Sequence, residues 1–359
     1  MSINEDEKFI KLSIEEAKKG GVFVHPNPKV GAVIVKDGKI LSKGYHKEFG
    51  KSHAEVNAIK KLSPQQLKNS TIYVSLEPCS TYGKTPPCTD LIIKSKIKKV
   101  VFSTLDPNPL NTGKSIELFK KNNIEVEYGI LEEESIELNK PFFKNMQENL
   151  PYITLKLGTS IDSKIANKSY NAKWITSEKS RQYSHYFRAE SDCILVGVNT
   201  IIKDDPLLNI RYCNYRKNPD ICIIDRELKT PLNSRIFKIK ERKIYIISEV
   251  KSNKYPFNVE IINMKFKKEL NLKKLIKTLY NRGIRHILVE GGGKTVGSFI
   301  KHNLFDRLIV FFAPLLIGKD GIEGFNFILK TKNNNLGLKL VLKKYKILDD
   351  DIMAVYERE

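Results

Sequence analysis

Apolar positions near the start of the chain recur at helical spacing. Phe9, Ile10, Leu12, Ile14 and Ala17 stand among Lys and Glu, and Gly20-Gly21 ends the run, which predicts an amphipathic helix over 8–19. The pattern then shortens. A continuous apolar run over 30–35 predicts a strand, Lys36-Asp37-Gly38-Lys39 a turn, and 40–45 the returning strand of a hairpin. Alternation follows: helix over 53–62, strand over 71–76, helix over 89–95, strand over 100–104, helix over 116–121 and strand over 124–128. Such alternation predicts a three-layer α/β/α sheet.

A helical stretch over 132–148 ends at Asn149-Leu150-Pro151, where the rhythm restarts. Strands are predicted over 152–157, 193–196, 221–225, 243–248, 287–290 and 308–313, with helices over 177–189 and 272–281 between them. The chain therefore divides into two α/β domains, 1–149 and 150–359, as its 359 residues suggest. There is no internal repeat and no low-complexity linker. No run of about 18 uncharged apolar residues predicts a membrane span. The acidic, polar first residues lack a secretory pattern, so a cytoplasmic protein is expected.

Five cysteines, at 79, 88, 193, 213 and 222, are odd in number and scattered, which favours reduced thiols over a disulfide framework. Cys193 and Cys222 sit in apolar runs and are expected to pack in the core. The net charge of +21 raises nucleic acid as a partner, yet Lys supplies most of it and no Arg precedes Arg181. Arg is the residue that phosphate forks and base edges favour, so this charge reads as composition, with attraction for phosphorylated small molecules.

Chemistry concentrates in residues 53–88. His53, Cys79 and Cys88 form the donor set that Zn²⁺ prefers, and three protein ligands leave a fourth position for water. A closed structural zinc knot would need a fourth Cys or His, for which His25 and His46 are the only neighbours. Glu55, two residues after His53, is placed to move that water's protons. The chemistry this suits is hydrolytic deamination of an amino-substituted heterocycle. In the second domain, Val289-Glu290-Gly291-Gly292-Gly293-Lys294-Thr295-Val296-Gly297 places glycines between a strand and a helix, as phosphate-seating loops do, but it is neither a Walker A loop nor GxGxxG.

The His53-Ala54-Glu55 and Pro78-Cys79 motifs resemble the cytidine-deaminase superfamily. The Cys79-x8-Cys88 spacing, His25-Pro26-Asn27-Pro28-Lys29-Val30-Gly31 and Asp106-Pro107-Asn108-Pro109 resemble the pyrimidine deaminases of riboflavin biosynthesis. Lys156-Leu157-Gly158-Thr159-Ser160-Ile161-Asp162, Lys173-Trp174-Ile175-Thr176-Ser177 and Asp204-Asp205-Pro206-Leu207-Leu208-Asn209-Ile210-Arg211 resemble the reductase half of the same bifunctional family.

The resemblance implies a zinc-dependent deaminase domain followed by a dihydrofolate-reductase-like domain using NADPH. It implies one Zn²⁺ per deaminase site and, as first substrate, 2,5-diamino-6-ribosylamino-4(3H)-pyrimidinone 5′-phosphate. The implied product is 5-amino-6-ribitylaminouracil 5′-phosphate. By the same transfer Asn27, His46, Lys84, Asp106 and Asn108 hold the deaminase substrate, although Asn27 and Asn108 also suit turns beside prolines. NADPH falls to Gly158, Trp174, Thr200, Asp204 and the segment Gly292, Gly293, Lys294, Thr295, Val296, Gly297 and Ser298. Trp174 also suits a place in the core.

The reductase substrate falls to Arg188, Leu208, Arg211 and Glu290, with Lys156 and Asp204 handling protons at the sugar. The resemblance lapses at Thr81, where histidine is usual, at Ala172, where serine is usual, and at Arg226, where a small cofactor-side residue is common. Partners are expected to be phosphorylated pyrimidines, with no nucleic acid and no membrane, and the chain to form a homo-oligomer. A zinc deaminase acting on RNA bases is the alternative, but it leaves the reductase-like half without a role.

Overall fold

The computed structural model describes residues 5–82, 86–169, 174–328 and 337–359. It contains two compact units, Met1–Asn149 and Leu150–Glu359.

The first unit runs α1 (Glu5–Lys18), β1 (Gly31–Lys36), β2 (Lys39–Tyr45), α2 (Ala54–Ile59), α3 (Pro64–Leu67), β3 (Thr71–Val74), α4 (Cys88–Lys94), β4 (Lys99–Phe102), α5 (Lys114–Lys121), β5 (Glu125–Tyr128), α6 (Glu132–Leu138) and α7 (Lys140–Glu148). Its five strands lie in the order β2-β1-β3-β4-β5. The hairpin and the β1–β3 pair are antiparallel, and β3, β4 and β5 are parallel. The run over β1 is continuously apolar because both faces are covered. Ala32 and Ile34 pack with Ala54, Ala58, Ile92 and Phe119 on one side, while Val33 and Val35 meet Phe9, Ile10 and Ile14 of α1 on the other. A Cβ on Gly44 would lie 2.4 Å from the Ala54 carbonyl oxygen, so the missing side chain lets α2 sit directly on β2.

The 132–148 helix expected from the sequence is two helices. They part at Asn139, whose Oδ1 accepts from the Lys29 amide at 2.8 Å while its Nδ2 donates to the Lys29 carbonyl at 3.0 Å. The turn opens there because this side chain serves the 27–30 loop, and that loop carries Asn27.

The second unit runs β6 (Tyr152–Ser160), β7 (Lys164–Ala166), α8 (Glu178–Glu190), β8 (Cys193–Gly197), α9 (Val198–Asp204), β9 (Asp220–Ile224), β10 (Ile244–Ser248), β11 (Val259–Asn263), α10 (Leu272–Asn281), β12 (His286–Glu290), α11 (Gly293–Lys301), β13 (Arg307–Ala313), β14 (Ile322–Glu323), β15 (Leu340–Leu348) and β16 (Asp351–Arg358). Nine strands form one sheet in the order β11-β10-β9-β8-β12-β6-β13-β16-β15, parallel from β11 to β13 and closed by the antiparallel β15–β16 hairpin. Cys193 and Cys222 are buried in its largest core cluster, as their apolar runs suggested. The chain steps outward from β8 to β11 and returns to insert β12 between β8 and β6. In open α/β sheets, ligands settle beyond the carboxyl ends of strands where the order reverses in this way.

Candidate active sites

His53 is the residue before α2, with extended backbone (φ −70°, ψ 169°), and its side chain makes no helix cap. The ring is therefore free to turn toward Cys79, in the loop after β3, and Cys88, the first residue of α4. His53 Nδ1 lies 3.5 Å from Cys79 Sγ and 3.4 Å from Cys88 Sγ, and the three donor atoms all fall within 4.8 Å of one another. Tetrahedral zinc with Zn–N of about 2.0 Å and Zn–S of about 2.3 Å has edges of about 3.5–3.8 Å, so these three donors fit the ion.

Without an ion the three donors share protons through hydrogen bonds, with the negative charge on Cys79, while the bond to Cys79 and burial push Cys88 up. Cys79 is drawn down to about 4 by hydrogen bonds from the Cys88 thiol and from His53. The Cys88 backbone amide adds a further bond to Cys79 Sγ at 3.3 Å. His53 is raised to about 9, first by its bond to Cys79.

Glu55, in the first turn of α2, is 3% exposed. Its Oε2 has no hydrogen-bond partner. Burial first, and then the Cys79 charge, push its carboxyl up. A cavity of about 320 Å³ opens beside it, lined among others by His53, Cys79, Asn27, His46, Asp106 and Asn108. The sequence-expected deaminase residues thus come together, apart from Lys84, which lies outside the described residues.

His46 is held neutral and in one tautomer. The Ser52 carbonyl only accepts, so Nδ1 at 3.1 Å carries the proton, and Nε2 receives the Asn27 amide at 3.2 Å. Burial lowers its pKa.

Two residues at this site carry no sequence signal. Glu77 is buried and accepts from the amides of Asp106, Gly113 and Ser115 and from the Ser115 hydroxyl, fixing the loop that presents Asp106. Asn111 bonds both Asp106 and Thr81. Burial, opposed by bonds from the Asn108 amide and Asn111, raises Asp106 to about 6.

In the second unit Glu290 closes β12 directly opposite Lys156 on β6. Arg188 of α8 grips Glu290 with two bonds, Nε to Oε1 at 2.7 Å and Nη2 to Oε2 at 2.8 Å, and its Nη1 donates to the Asn209 carbonyl at 2.9 Å. Lys156 Nζ stands 3.9 Å from Glu290. Burial alone would raise Glu290, but the charges of Arg188 and Lys156 hold it at about 2. Burial and Arg188 push Lys156 down against the pull of Glu290. Arg211 is exposed, and its backbone amide donates to His185 Nδ1 at 3.1 Å.

The glycine segment divides by role. Gly197, Gly291, Thr200 and Thr295 meet where β8 and β12 end: a Cβ on Gly197 would lie 2.9 Å from Thr295 Oγ1, and one on Gly291 3.6 Å from Thr200 Oγ1. Asp204 follows Thr200 by one turn of α9 and shares its face. Gly293 and Gly297 are committed to packing, since a Cβ there would strike the Glu323 and Asn326 carbonyl oxygens at 2.2 and 2.3 Å. Val296 lies in the core, so these three positions offer a ligand only backbone. Ser298 Oγ is turned to the Lys294 carbonyl, and Lys294 is exposed.

Leu208 also differs from a side-chain contact. It packs in the core with φ +46°, and its carbonyl accepts from Arg242. Trp174 is 68% exposed beneath the Arg181 guanidinium, so the core alternative fails. Gly158 lies against Thr176. Arg226, just past β9, pairs with Glu249, and Ala172 lies outside the described residues.

The metal-fitting cluster, the buried carboxylate with one unpartnered oxygen and the three-layer sheet define the first unit as a zinc deaminase. Residues 3–104 match the family described as the cytidine and deoxycytidylate deaminase zinc-binding region, and residues 151–353 match the RibD C-terminal domain. The chain is 42% identical over 355 residues to riboflavin biosynthesis protein RibD of Aquifex aeolicus (strain VF5), covering 98% of each chain. It superposes on Acinetobacter baumannii RibD, form 1, with a TM-score of 0.91 and 34% identity, covering 100% of both. A diaminohydroxyphosphoribosylaminopyrimidine deaminase/5-amino-6-(5-phosphoribosylamino)uracil reductase from Thermotoga maritima superposes with a TM-score of 0.88 and 36% identity over 99% of each chain. The chain belongs to the RibD family, the bifunctional deaminase–reductases of riboflavin biosynthesis.

Proposed function

We propose that the first unit removes the 2-amino group of 2,5-diamino-6-ribosylamino-4(3H)-pyrimidinone 5′-phosphate as ammonia. The second unit then reduces the ribosyl group to give 5-amino-6-ribitylaminouracil 5′-phosphate. The observation that carries the deaminase reading is the buried, unpartnered Glu55 oxygen beside the His53–Cys79–Cys88 cluster at the wall of the cavity. A zinc ion bound by these three residues would act as Lewis acid and bring a water's pKa to about 7.

Glu55 would take one proton from the attacking water and pass it to the ring nitrogen. It would then carry the water's second proton to the amino group, which leaves as ammonia while the oxygen stays as the carbonyl. Burial pushes the Glu55 carboxyl up, toward the protonated form it must pass through in order to donate. Asp106, His46 and Asn27 read the ring edge. Glu55→Gln is expected to keep wild-type zinc content and lower ammonia release by about 10²- to 10⁴-fold, with reduction of supplied deaminated substrate unchanged. Ammonia release at the wild-type rate would remove Glu55 from this role.

In the second unit NADPH is the hydride source, received where Gly291, Gly292, Thr200 and Thr295 gather. Asp204 lies on the same face of α9, and Arg226 at the neighbouring strand end offers a positive charge to the cofactor's extra phosphate. Hydride delivery to C1′ breaks the bond from C1′ to the ring oxygen, and that oxygen needs a proton. Lys156, lowered by burial, is placed to give it, while Glu290 and Arg188 orient the sugar and Arg211 offers its charge to the substrate phosphate.

Localisation in the cytoplasm is supported by five free thiols, and among the described residues no helix is long and apolar enough to cross a membrane. A homo-oligomer is supported by the edge strand β15, which exposes Leu342, Tyr345 and Ile347.

A further inference from the structure

Asn111 stands between β4 and α5, nearly buried, and lines the deaminase cavity. Its Oδ1 receives the Thr81 hydroxyl at 2.9 Å, the Ser80 amide at 3.3 Å and the Ser80 hydroxyl at 3.4 Å. Its Nδ2 donates to Asp106 Oδ2 at 2.8 Å. A backbone amide only donates and an ionised carboxylate only accepts, so the two ends of the Asn111 amide are assigned by their partners. The second Asp106 oxygen, Oδ1, accepts the Asn108 amide at 2.9 Å. Both carboxylate oxygens are therefore tethered, one of them through Asn111 to the loop that carries the metal-site residue Cys79.

We propose that Asn111 is a positioning residue of the deaminase. Its amide is oriented by Thr81 and Ser80, and it holds the Asp106 carboxylate at the angle that reads the pyrimidine edge. The inference rests on the deaminase reading of the first unit. It also gives Thr81 a role in this chain, because its hydroxyl hydrogen is spent on Asn111. The effect of Thr81 on turnover then passes through Asn111 and vanishes when Asn111 is gone.

The test is a double-mutant cycle on the full chain, read as kcat/KM for ammonia release, with zinc content and reduction of supplied deaminated substrate measured alongside. Asn111→Ala is expected to lose about 10- to 100-fold, the range for a hydrogen bond to a charged group. Thr81→Val is expected to lose about three- to tenfold in the wild-type background and less than about twofold in the Asn111→Ala background. Asn111→Asp keeps an acceptor for Ser80 and Thr81 but turns a carboxylate toward Asp106. It is expected to lose at least as much as the alanine variant, at wild-type zinc content and with reduction intact.

A residue that merely ties down the 80–81 loop would tolerate Asn111→Asp. Wild-type kcat/KM in that variant overturns the proposal, as does a Thr81→Val loss of equal size in both backgrounds, or loss of zinc. Should Asn111→Ala fail to fold, Asn111→Asp decides by itself, through its kcat/KM at wild-type zinc content. If the wild-type enzyme itself released no ammonia, the deaminase reading would fail instead, a distinct outcome.

Discussion

The two sites are built in opposite ways. The deaminase centre has its metal donors, and the proton carrier proposed for it, within residues 53–88, a short span folded around one strand. The proposed reductase centre draws Lys156 from β6, Arg188 from α8 and Glu290 from β12, charges that meet only when distant parts of a nine-stranded sheet come together, with Arg211 on a nearby loop. A compact site adds its chemistry to a unit whose core is complete without it. A dispersed site is part of the packing, and disturbing it disturbs the unit.

That contrast is broken most directly by removing the first site. Cys79→Ser, or chelation of the metal, is expected to abolish ammonia release while leaving unfolding of the second unit and its NADPH oxidation on deaminated substrate unchanged. Parallel loss of both activities would show that the sites are not independent. The opposite asymmetry is expected at Glu290. Glu290→Gln leaves Arg188 and Lys156 buried without their counter-charge, which costs about 3–5 kcal/mol when one partner of a buried pair is removed. Urea unfolding should show the loss in the second unit alone, together with lost reduction and intact deamination.

The same pair fixes a pH dependence. Glu290 titrates at about 2 in the fold against an ordinary value of 4.5, so its stabilisation is present above that ordinary value and fades as pH falls toward 2. In Glu290→Gln that decline should be absent from the unfolding curve.

Legibility followed the same division. His53, Glu55, Cys79 and Cys88 could be read because their spacing states a donor set that few other chemistries need. Asn111 and Glu77 could not, since a lone Asn or Glu near prolines reads as a turn residue, and most of their partners, 29 to 38 residues away in sequence, meet them only when the 77–81 and 106–115 segments pack together. The glycine run was readable as a strand-to-helix turn, yet not how it divides. Gly293 and Gly297 serve close packing against residues 323–326, which lie far along the chain.

The inner strands of both large sheets were visible because they are covered on two faces and their runs are continuously apolar. The hairpin β15–β16 was missed because lysines interrupt Leu340–Leu348 and nearly all of that strand is exposed. The break at Asn139 was missed because its cause is the Lys29 backbone, more than a hundred residues away.

A smaller effect is expected at Asp106. Its carboxyl is raised to about 6, first by burial, so ionisation is completed only above that pH. If the ionised form reads the substrate, deaminase kcat/KM should climb as pH rises through about 6, while the reductase, lacking this group, shows no limb there. Folding favours the protonated form of such a group, so its stability contribution should decline as pH rises from about 4 to about 6. A flat deaminase profile over that range would assign the ring-edge contact to another group.

The smallest expected effect concerns His185, three residues before Arg188 on the same helix. Its Nδ1 accepts the Arg211 amide, and its ring meets Tyr212 edge-on at 4.8 Å between centroids. This fastens the Arg211 loop to the helix that carries Arg188. Burial first, then the charges of Arg188 and Arg211, depress His185 to about 4 from an ordinary 6.5, so it is neutral at physiological pH and Nδ1 is free to accept. A protonated imidazole would lose that acceptor and face two guanidinium groups. The neutral ring therefore contributes stability fully present above pH 6.5 and lost as pH falls toward 4. His185→Phe keeps the aromatic packing but removes the acceptor. It should cost about 0.5–1.5 kcal/mol, raise the reductase KM severalfold and flatten the loss of stability between pH 6.5 and 4. Should urea midpoints of wild type and variant fall in parallel over that interval, the pH response of the second unit would belong to its carboxylates, and the Arg211 loop would be held by packing alone.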